Sequence, residues 1–563
     1  MVRFALRSLS KSLFTGLIRK SELLSFANYN SRIIKSFIPN IEIPNATVPQ
    51  FVFQNFCKFP HKTAVVCGVT GRKYTFEQLR SEAVNFGNNL RFRLKLNKGD
   101  VVAIFMPNLP EFAVAILGVL EGSMVVTTIN PFHNAEEIKA QLVDSRAKAI
   151  VTTCALYQFA RTTVLPLIDI HIITIKSEIN DTTPPNAIDF EELTKKRSSF
   201  SLNEYIDPQD AAVILYSSGT TGVPKAIVQT HFNLVANLCQ LNSLHTIQET
   251  TENHQDVLPA VIQLSHMYGL NMLLLYGLSN ISKIVTVPKF KPGTFLNMFE
   301  LHKPTVFYCA PPLILFMTDH GSFNRRHFEN LQVVVSAAAP LSNSDINSFL
   351  EKTEKSVAFC QGYGTSETGL LLYNDHIDKP YGSLGTPISN VTIKVISMNN
   401  CEMLQPSYTN GELLVKGPQV MKEHHNIGVE HSFTNGWLRT GDVVYYDNKN
   451  NVFLVDRLKE FIKVKGYQVA PAELEQILCN YPNIEDAAVI GIPHKQYGEV
   501  PRAYITVKPH SKVDIKEVEK YIAHKVASYK YITGGIAIID NLPKSGSGKL
   551  LRKKLKMMYL NES

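Results

Sequence analysis

The chain has 563 residues, of which 45% are hydrophobic and 19% are charged. This balance is typical of a globular protein and excludes wholesale disorder. The eight cysteines are scattered without a C-x-x-C pair, which argues against a zinc ribbon or a secreted disulfide scaffold and favours a reducing compartment. No apolar run approaches the length of a membrane span, so we expect no transmembrane segment.

The formal net charge of +8 is concentrated at the N-terminus, because residues 1–36 hold seven basic residues and one acidic residue. The rest of the chain is near neutral, so we expect no nucleic-acid partner.

The leucines from Leu6 to Leu17 fall on one helical face beside basic residues, which is typical of a mitochondrial transit peptide. A basic tail or a membrane-surface anchor is the alternative, so peripheral membrane contact stays open. We expect a mitochondrial location, with the cytoplasm as the alternative; the residues after Leu560 are not a peroxisomal S-K-L signal.

The body of the chain alternates short β-rich runs with helical patterns. Strands separated by helix-length segments predict an α/β fold in which helices cover parallel sheets. We expect a large N-terminal domain over 37–455, with a β-rich subdomain from Val391, and a small mobile α+β domain over 456–563. The polar stretch 177–210 reads as a surface connection. The clearest predicted strands are Thr63–Val66, Val101–Phe105 and Ala211–Leu215, and the clearest predicted helices are Phe76–Leu94 and Ala135–Val143.

The segment from Tyr216 to Lys225 is the most informative of the sequence. It follows a predicted strand and combines four Ser/Thr hydroxyls, two glycines and a lysine. Glycines let backbone N–H groups approach an anion, hydroxyls donate further hydrogen bonds, and the lysine supplies charge. The segment is not a Walker A loop. Its composition alone fits a phosphate-binding loop and a flexible turn about equally well.

Two further clusters carry candidate chemistry. In 361–369, the neighbours Ser366 and Glu367 offer a hydroxyl beside a carboxylate, which suits a hard cation such as Mg²⁺. Glu367 stands where a dinucleotide fingerprint needs its third glycine, so that reading fails. In 543–549, a lysine ends a glycine-rich loop that also lacks the Walker A pattern.

These three clusters, in this order and at these separations, resemble the adenylate-forming (ANL) superfamily of acyl-CoA synthetases, adenylation domains and beetle luciferase. The 4-coumarate–CoA ligases and luciferase-like acyl-CoA synthetases are the most similar members, and the resemblance covers roughly residues 40–556. Further matching segments are Ser336–Leu341, Gly411–Gly417, Trp437–Asp442 and Asp456–Glu475.

The resemblance implies an ATP-dependent acyl-CoA ligase that works in two steps. A carboxylate attacks the α-phosphorus of ATP to give acyl-AMP and pyrophosphate, and coenzyme A then displaces AMP. ATP, Mg²⁺ and coenzyme A are the implied cofactors, and a small-molecule fatty or aromatic acid is the implied substrate. Catalysis of this kind depends on positioning and charge stabilisation rather than on covalent protein chemistry.

Site residues follow from the same resemblance. Lys549 matches the adenylation lysine, Glu367 and Thr221 match the metal position, and Lys459 matches the hinge. The implied nucleotide-binding residues are Ser217, Ser218, Gly219, Thr220, Thr221, Gly222, Lys225, Ala338, Gln361, Gly362, Tyr363, Ser366, Asp442, Arg457 and Lys459. Among them, Tyr363 would stack on adenine and Asp442 would bind the ribose hydroxyls. The implied coenzyme A contacts are Lys289, Lys463, Lys465, Gly466 and Gln468. The implied acyl-site residues are His266, Tyr268 and Ala338, with His266 also counted as catalytic.

Three residues depart from the family pattern. Ala226 and Ala337 replace common glycines, with Ala226 expected at a tight turn, and Ser265 replaces a phenylalanine beside the acyl site. The departures keep open a non-catalytic acyl- or nucleotide-binding homologue, and the resemblance itself leaves open a different thiol acceptor, such as a carrier protein, and a luciferase-like activity. The retained Lys225 and Lys549 favour an enzyme.

Overall fold

The computed structural model describes residues 33–164, 170–197, 204–217, 225–398, 403–426, 432–464, 467–495, 497–545 and 548–562. Most of the expected transit peptide, the loop residues 218–222, Lys465 and Gly466 lie outside these ranges. In chain order, the strands are β1 Ile34–Lys35, β2 Thr63–Cys67, β3 Lys73–Thr75, β4 Val101–Phe105, β5 Val125–Ile129, β6 Ala147–Thr153, β7 His171–Ile175, β8 Ile188–Asp189, β9 Ala211–Ser217, β10 Lys225–Thr230, β11 Val257–Ala260, β12 Lys283–Thr286, β13 Val306–Cys309, β14 Val333–Ser336, β15 Ala358–Thr365, β16 Gly369–Asn374, β17 Thr386–Pro387, β18 Thr392–Ile396, β19 Gly411–Lys416, β20 Glu423–His424, β21 Phe433–Thr434, β22 Trp437–Tyr446, β23 Val452–Arg457, β24 Ile462–Val464, β25 Tyr467–Val469, β26 Ile484–His494, β27 Gly498–Val507 and β28 Ile536–Ile538.

The helices cover these strands. They are α1 Val48–Phe53, α2 Phe76–Phe92, α3 Glu111–Glu121, α4 Ala135–Ser145, α5 Tyr157–Val164, α6 Phe190–Thr194, α7 His231–Asn242, α8 Tyr276–Ser279, α9 Pro292–His302, α10 Pro311–Asp319, α11 Asn343–Lys352, α12 Pro471–Cys479, α13 Ile515–Lys525 and α14 Arg552–Glu562, and a π-helical stretch, Tyr268–Leu275, precedes α8. Within the described ranges, no helix is both long and apolar enough to span a membrane.

An eight-stranded sheet forms the first half of the N-terminal unit, in the order β20-β10-β9-β5-β4-β6-β7-β8. Strands β4 to β8 and the β5–β9 pair run parallel. Every residue of β4 and β5 is buried, as expected for strands covered on both faces. Helix α3, which connects them, approaches α2 so closely that a β-carbon on Gly87 would lie 2.4 Å from the carbonyl oxygen of Gly118. The predicted α/β class is confirmed.

Two further sheets complete the α/β part. One has four strands, β11-β12-β2-β3, and the other has five, β13-β14-β15-β16-β17. In the second, β13, β14 and β15 are parallel, so their carboxyl ends meet at one edge and place Ser336 opposite Gln361. The motifs that begin at these two residues therefore emerge side by side.

The predicted β-rich part forms a largely antiparallel sheet, β1-β18-β19-β22-β21, with β23 paired to β22. Its first strand comes from the N-terminal segment, because Ile34 pairs with Ile393 and Lys35 with Thr392. Ile34 is 4% exposed and belongs to the main core. The boundary placed after residue 36 is therefore too late, since residues from 34 onward already belong to the fold.

The C-terminal unit has its own sheet, β25-β24-β27-β26, with β28 paired to β27. Two apolar clusters formed by this unit pack on its two faces. The chain enters the unit through residues 458–461, since β23 still pairs with β22, with Arg457 opposite Asp442. The division between the sheets thus falls two residues after the predicted boundary at 456.

Candidate active site

Asp442 lies at the centre of the candidate site and is held by two donors. The Tyr363 hydroxyl donates to its Oδ2 at 2.6 Å, and the Arg457 Nε lies 2.8 Å from its Oδ1. Burial, and then the Asp442 charge, raise the pKa of Tyr363 well above its usual value, so the hydroxyl keeps its proton and donates. Each carboxylate oxygen retains acceptor capacity. Asp442 is therefore oriented and still able to accept hydroxyl groups of a ligand.

A cluster of cations surrounds this carboxylate. Burial, followed by the charges of Arg457 and Lys459, lowers the pKa of Lys549 to about 8, against the opposing effect of Asp442. Burial, then Arg457 and more weakly Lys225, also lower the pKa of Lys459. Lys549 reaches into this cleft from the C-terminal unit, where neighbouring atoms partly desolvate its ammonium group although the residue still contacts solvent. Cations that depress one another's pKa values in this way are suited to an anionic ligand.

His266 and Glu367 face the same cleft. Burial and the Lys549 charge lower the pKa of His266, whereas the Glu367 charge raises it. His266 is therefore neutral at pH 7, because the cleft partly desolvates its ring although the residue still contacts solvent. Its Nδ1 accepts the backbone N–H of Tyr268 at 3.4 Å, which assigns the remaining proton to Nε2. The charge of Glu367 also raises the pKa of the Arg457 guanidinium, so Glu367 and His266 share one space with the cations around Asp442.

The loop that carries Lys549 packs on the N-terminal unit. Gly548 has a φ of +82°, and a β-carbon at this position would lie 2.6 Å from the Cγ of Pro312 in α10. Only glycine allows this backbone conformation together with this approach. The contact explains how a lysine that lies more than 100 residues from Asp442 in the sequence reaches the cleft.

Comparison with known proteins decides the family. The model of the AMP-binding enzymes matches residues 52–425, and the model of their C-terminal domain matches residues 473–549. The chain belongs to the AMP-binding enzymes. It is 33% identical to 4-coumarate–CoA ligase 3 of Arabidopsis thaliana over 538 residues, which cover 93% of this chain and 94% of the relative. It is 32% identical to a probable 4-coumarate–CoA ligase 1 of Dictyostelium discoideum, with 92% and 96% covered.

Solved structures agree with this family. ATP-bound MatB from Rhodopseudomonas palustris shares the fold, with a TM-score of 0.81, 23% identity, and 92% of this chain and 99% of that chain covered. o-Succinylbenzoate CoA synthetase (MenE) from Bacillus subtilis, in complex with its acyl-adenylate, gives a TM-score of 0.77 at 26% identity, with 90% and 98% covered. The resemblance to the adenylate-forming superfamily is confirmed, and this AMP-binding enzyme is an AMP-forming acid–thiol ligase.

The alanines that replace family glycines fit their positions. Ala226 lies in β10 opposite Tyr216, not at a tight turn as expected, and packs among apolar residues of neighbouring strands. In the segment that begins at Ser336, the left-handed residue is Ala338, with a φ of +76°, and not Ala337. A methyl group at positions 226 and 337 therefore introduces no backbone strain. Ser265 uses its backbone carbonyl to accept the Thr128 hydroxyl at 2.6 Å.

Tyr268, which is expected at the acyl site, uses its hydroxyl within the protein. Its hydroxyl donates to the backbone carbonyl of Val335 at 2.8 Å, with that of Cys309 at 3.2 Å, and the residue is 8% exposed. The hydroxyl is therefore used within the protein. Only the ring, which also contacts Tyr308 edge-on, is left to line a pocket.

Of the residues implied for coenzyme A, Lys289 and Lys463 do not join this cluster, and Lys465 and Gly466 lie outside the described residues. Lys289 is exposed after β12. Lys463 lies on β24, where its backbone N–H donates to Glu499 at 2.9 Å. Of the phosphate-loop residues, Ser217 ends β9 opposite Lys225, so these two residues close the loop at its base. The roles of the loop and of the coenzyme A residues stay predictions.

Sequence reasoning missed two polar groups beside the cleft. Within the described residues, the buried atoms Gln229 Oε1, Ser336 Oγ and Gln361 Oε1 have no hydrogen-bond partner. The amide of Gln229 donates to the carbonyl of Ser366 at 3.0 Å, which fixes its orientation. Buried polar atoms without a partner are rare, so these three are candidate ligand contacts. The position of Ser336, directly before the alanine motif, was the available signal.

Proposed function

We propose that this ligase activates an aromatic carboxylic acid of the 4-coumarate class, holds Mg²⁺ with Glu367 and uses Lys549 to form the acyl-adenylate. The observation that carries the proposal is the position of Lys549, which is brought from the C-terminal unit to Asp442 and Arg457. The two relatives named above, which match more than nine-tenths of this chain and carry the name 4-coumarate–CoA ligase, support the choice of acid.

The first step brings two anions together, and the cations of the cleft offset their repulsion. A carboxylate oxygen of the acid bonds to the α-phosphorus, the bond between this phosphorus and the bridging oxygen breaks, and pyrophosphate leaves with that electron pair. Lys549 contacts the incoming carboxylate and the α-phosphate, while Arg457 and Lys225 compensate charge on the nucleotide. A preorganised charge contact of this kind contributes about 3 kcal/mol or more to the transition state.

Neutral His266 orients the acid rather than transferring a proton. Its Nε2–H donates a hydrogen bond to the acyl carboxylate, since Nδ1 already accepts a backbone N–H. Because the pKa of His266 is lowered, the ring adds no positive charge at neutral pH. The negative charge of the carboxylate is therefore left to attack phosphorus.

The donor set fits a magnesium ion that is held mainly by the nucleotide. Within the described residues, no cluster of three or more His, Cys, Asp or Glu side chains could hold a metal, so a dedicated protein cage is absent from that part of the chain. Mg²⁺ is commonly bound by one or two carboxylates with substrate phosphates and water, and Glu367 supplies one. When bound, the ion would neutralise charge on the phosphates and on the leaving pyrophosphate.

The test is acid-dependent pyrophosphate release from the full chain, with and without coenzyme A and Mg²⁺. The acid panel includes 4-coumarate, benzoate, malonate and fatty acids of increasing length. We expect 4-coumarate or a related aryl acid to give the highest kcat/KM. A preference for fatty acids would refute the substrate class, and no release with any acid would refute the activity.

A matched lysine pair separates catalysis from loop stability. Lys549→Ala should lower adenylation about 100-fold or more, since it removes a charge contact from the site. Lys544→Ala changes a lysine of the same loop that pairs with Asp486 on its own unit and should leave adenylation within twofold. Equal losses in the two variants would contradict the assigned role of Lys549.

The location of the protein in the cell is a separate proposal. The acid-poor, basic residues 1–32 have the composition of a mitochondrial transit peptide. A mitochondrial ligase would encounter matrix ATP and coenzyme A, and the deletion experiment in the Discussion tests this location.

A further inference from the structure

A buried carboxylate caps a helix across the connection between the two units. Asp456, at the end of β23, is 6% exposed. Its Oδ2 accepts the backbone N–H of Ala472 at 2.9 Å, and its Oδ1 accepts the N–H of Arg457 at 2.7 Å. Ala472 is the second residue of α12, whose own N-cap residue, Ala470, has no side-chain acceptor. The first turn of α12 thus obtains its cap from the other unit.

The position of Asp456 in the sheets makes this bond a link between units. Asp456 pairs with Val443 in the sheet of the N-terminal unit. The chain then passes through 458–461 into the sheet of the C-terminal unit, where α12 packs. A rotation of the C-terminal unit about 458–461 would separate Asp456 from Ala472. The bond therefore forms only in an orientation close to the one in the structure.

A second contact continues from α12 toward the catalytic loop. Glu475, one turn after Ala472, binds Arg552 with both carboxylate oxygens at 2.7 Å from the guanidinium. Burial acts to lower the pKa of Arg552, but the charges of Glu475 and then Asp456 outweigh this effect, so the pKa is raised overall. Arg552 begins α14, three residues after Lys549. Asp456, α12 and Arg552 thus form a continuous connection from the edge of the nucleotide site to the lysine loop.

We propose that Asp456 is a positioning residue that sets the C-terminal unit over the cleft, so that Lys549 reaches the reacting groups. The inference rests on the proposed adenylation role of Lys549. Asp456 itself contacts no reacting atom, because both of its oxygens accept backbone N–H groups. The loss of Asp456 should therefore affect the step that needs Lys549 in the cleft, and not the ligase as a whole.

The experiment measures the two half-reactions of full-length Asp456→Ala separately, with Asp514→Ala as the matched control. Asp514 caps α13 in the same way: its Oδ1 accepts the N–H of Lys516, the second residue of that helix, at 2.9 Å. Both of these residues belong to the C-terminal unit. Losing a capping bond changes an equilibrium by about tenfold. We expect Asp456→Ala to lower the kcat of adenylation about tenfold and to leave thioester formation from preformed acyl-AMP within twofold. Asp514→Ala should change both rates less than twofold.

A local cap tests whether helix stability alone explains the effect. In Asp456→Ala/Ala470→Ser, the serine can cap α12 from within its own unit, and it should restore the melting temperature but not adenylation. Recovery of adenylation by the serine, or equal loss of both half-reactions in Asp456→Ala, would overturn the inference. Asp456→Val, whose side chain accepts no hydrogen bond and suits a strand, replaces the alanine variant if that variant is insoluble, with the same expected imbalance. Failure of the proposed function is distinguishable, because wild type would then release no pyrophosphate.

Discussion

The Gly548→Ala substitution tests how closely the C-terminal unit must approach. The new β-carbon would lie 2.6 Å from Cγ and 2.9 Å from Cδ of Pro312. Carbon atoms normally pack at about 3.5–4.0 Å, so the loop must withdraw by roughly 1 Å. A displacement of about 1 Å at a reacting group costs on the order of 100-fold in rate, and a left-handed alanine costs about 1–2 kcal/mol in addition. We expect adenylation to fall about 100-fold, measured as acid-dependent pyrophosphate release.

The control and the rescue isolate the steric effect. Gly71→Ala places alanine at a similar φ of +73° with no atom within 4 Å of its β-carbon, so it should lower stability and leave adenylation unchanged. Adding Pro312→Ala to Gly548→Ala removes the ring carbons in conflict and should recover at least tenfold of the lost rate. Thioester formation from preformed acyl-AMP should stay within threefold in Gly548→Ala. A loss no larger than that of Gly71→Ala would refute the close approach as a requirement for adenylation.

Three further predictions concern pH, strain and location. Because the pKa of Lys549 is lowered to about 8, raising the pH removes its charge, and kcat/KM for adenylation should fall about tenfold between pH 7 and pH 9; a Lys549→Arg variant that keeps this fall would exclude Lys549 as its cause. Ala338→Gly should raise the unfolding free energy by about 1 kcal/mol by relieving a left-handed alanine, whereas Ala337→Gly should lower it; denaturation curves that shift in the same direction would contradict this assignment of strain. Deletion of residues 1–32 should preserve ligase activity in vitro and move the protein from mitochondria to the cytosol in cells, and a truncated protein that stays mitochondrial would show that the address lies elsewhere.

Local patterns predicted the elements that carry their own signal. The strand expected at Val101–Phe105 has the same bounds in the structure, and the helix expected from Phe76 starts there and ends two residues early. Continuous apolar runs and a capping threonine make such elements readable without tertiary context. The nucleotide motifs were readable for the same reason, since each is a short local run rich in glycine, hydroxyl or charged residues.

Contacts between distant segments were not readable in this way. The pairing of Ile34 with Ile393 joins segments more than 350 residues apart, and nothing in the basic N-terminal segment marks a strand. The stretch 177–210 contains β8 and α6, because Phe190 and Leu193 are buried although the surrounding sequence is polar. The bond from Asp456 to Ala472 crosses two units. In each case, tertiary packing and not local propensity decides the structure.

The single connection at 458–461 joins two bodies that each have their own hydrophobic core. The chain therefore acts as a tether, which keeps Lys549 at a millimolar effective concentration near the cleft, as short linkers do. If the chain were divided within the connection, adenylation would become a bimolecular encounter whose rate depends on the concentration of the separate C-terminal piece. The concentration that restores half of the activity would then measure directly how weakly the two bodies attract one another, which covalent linkage conceals in the intact enzyme.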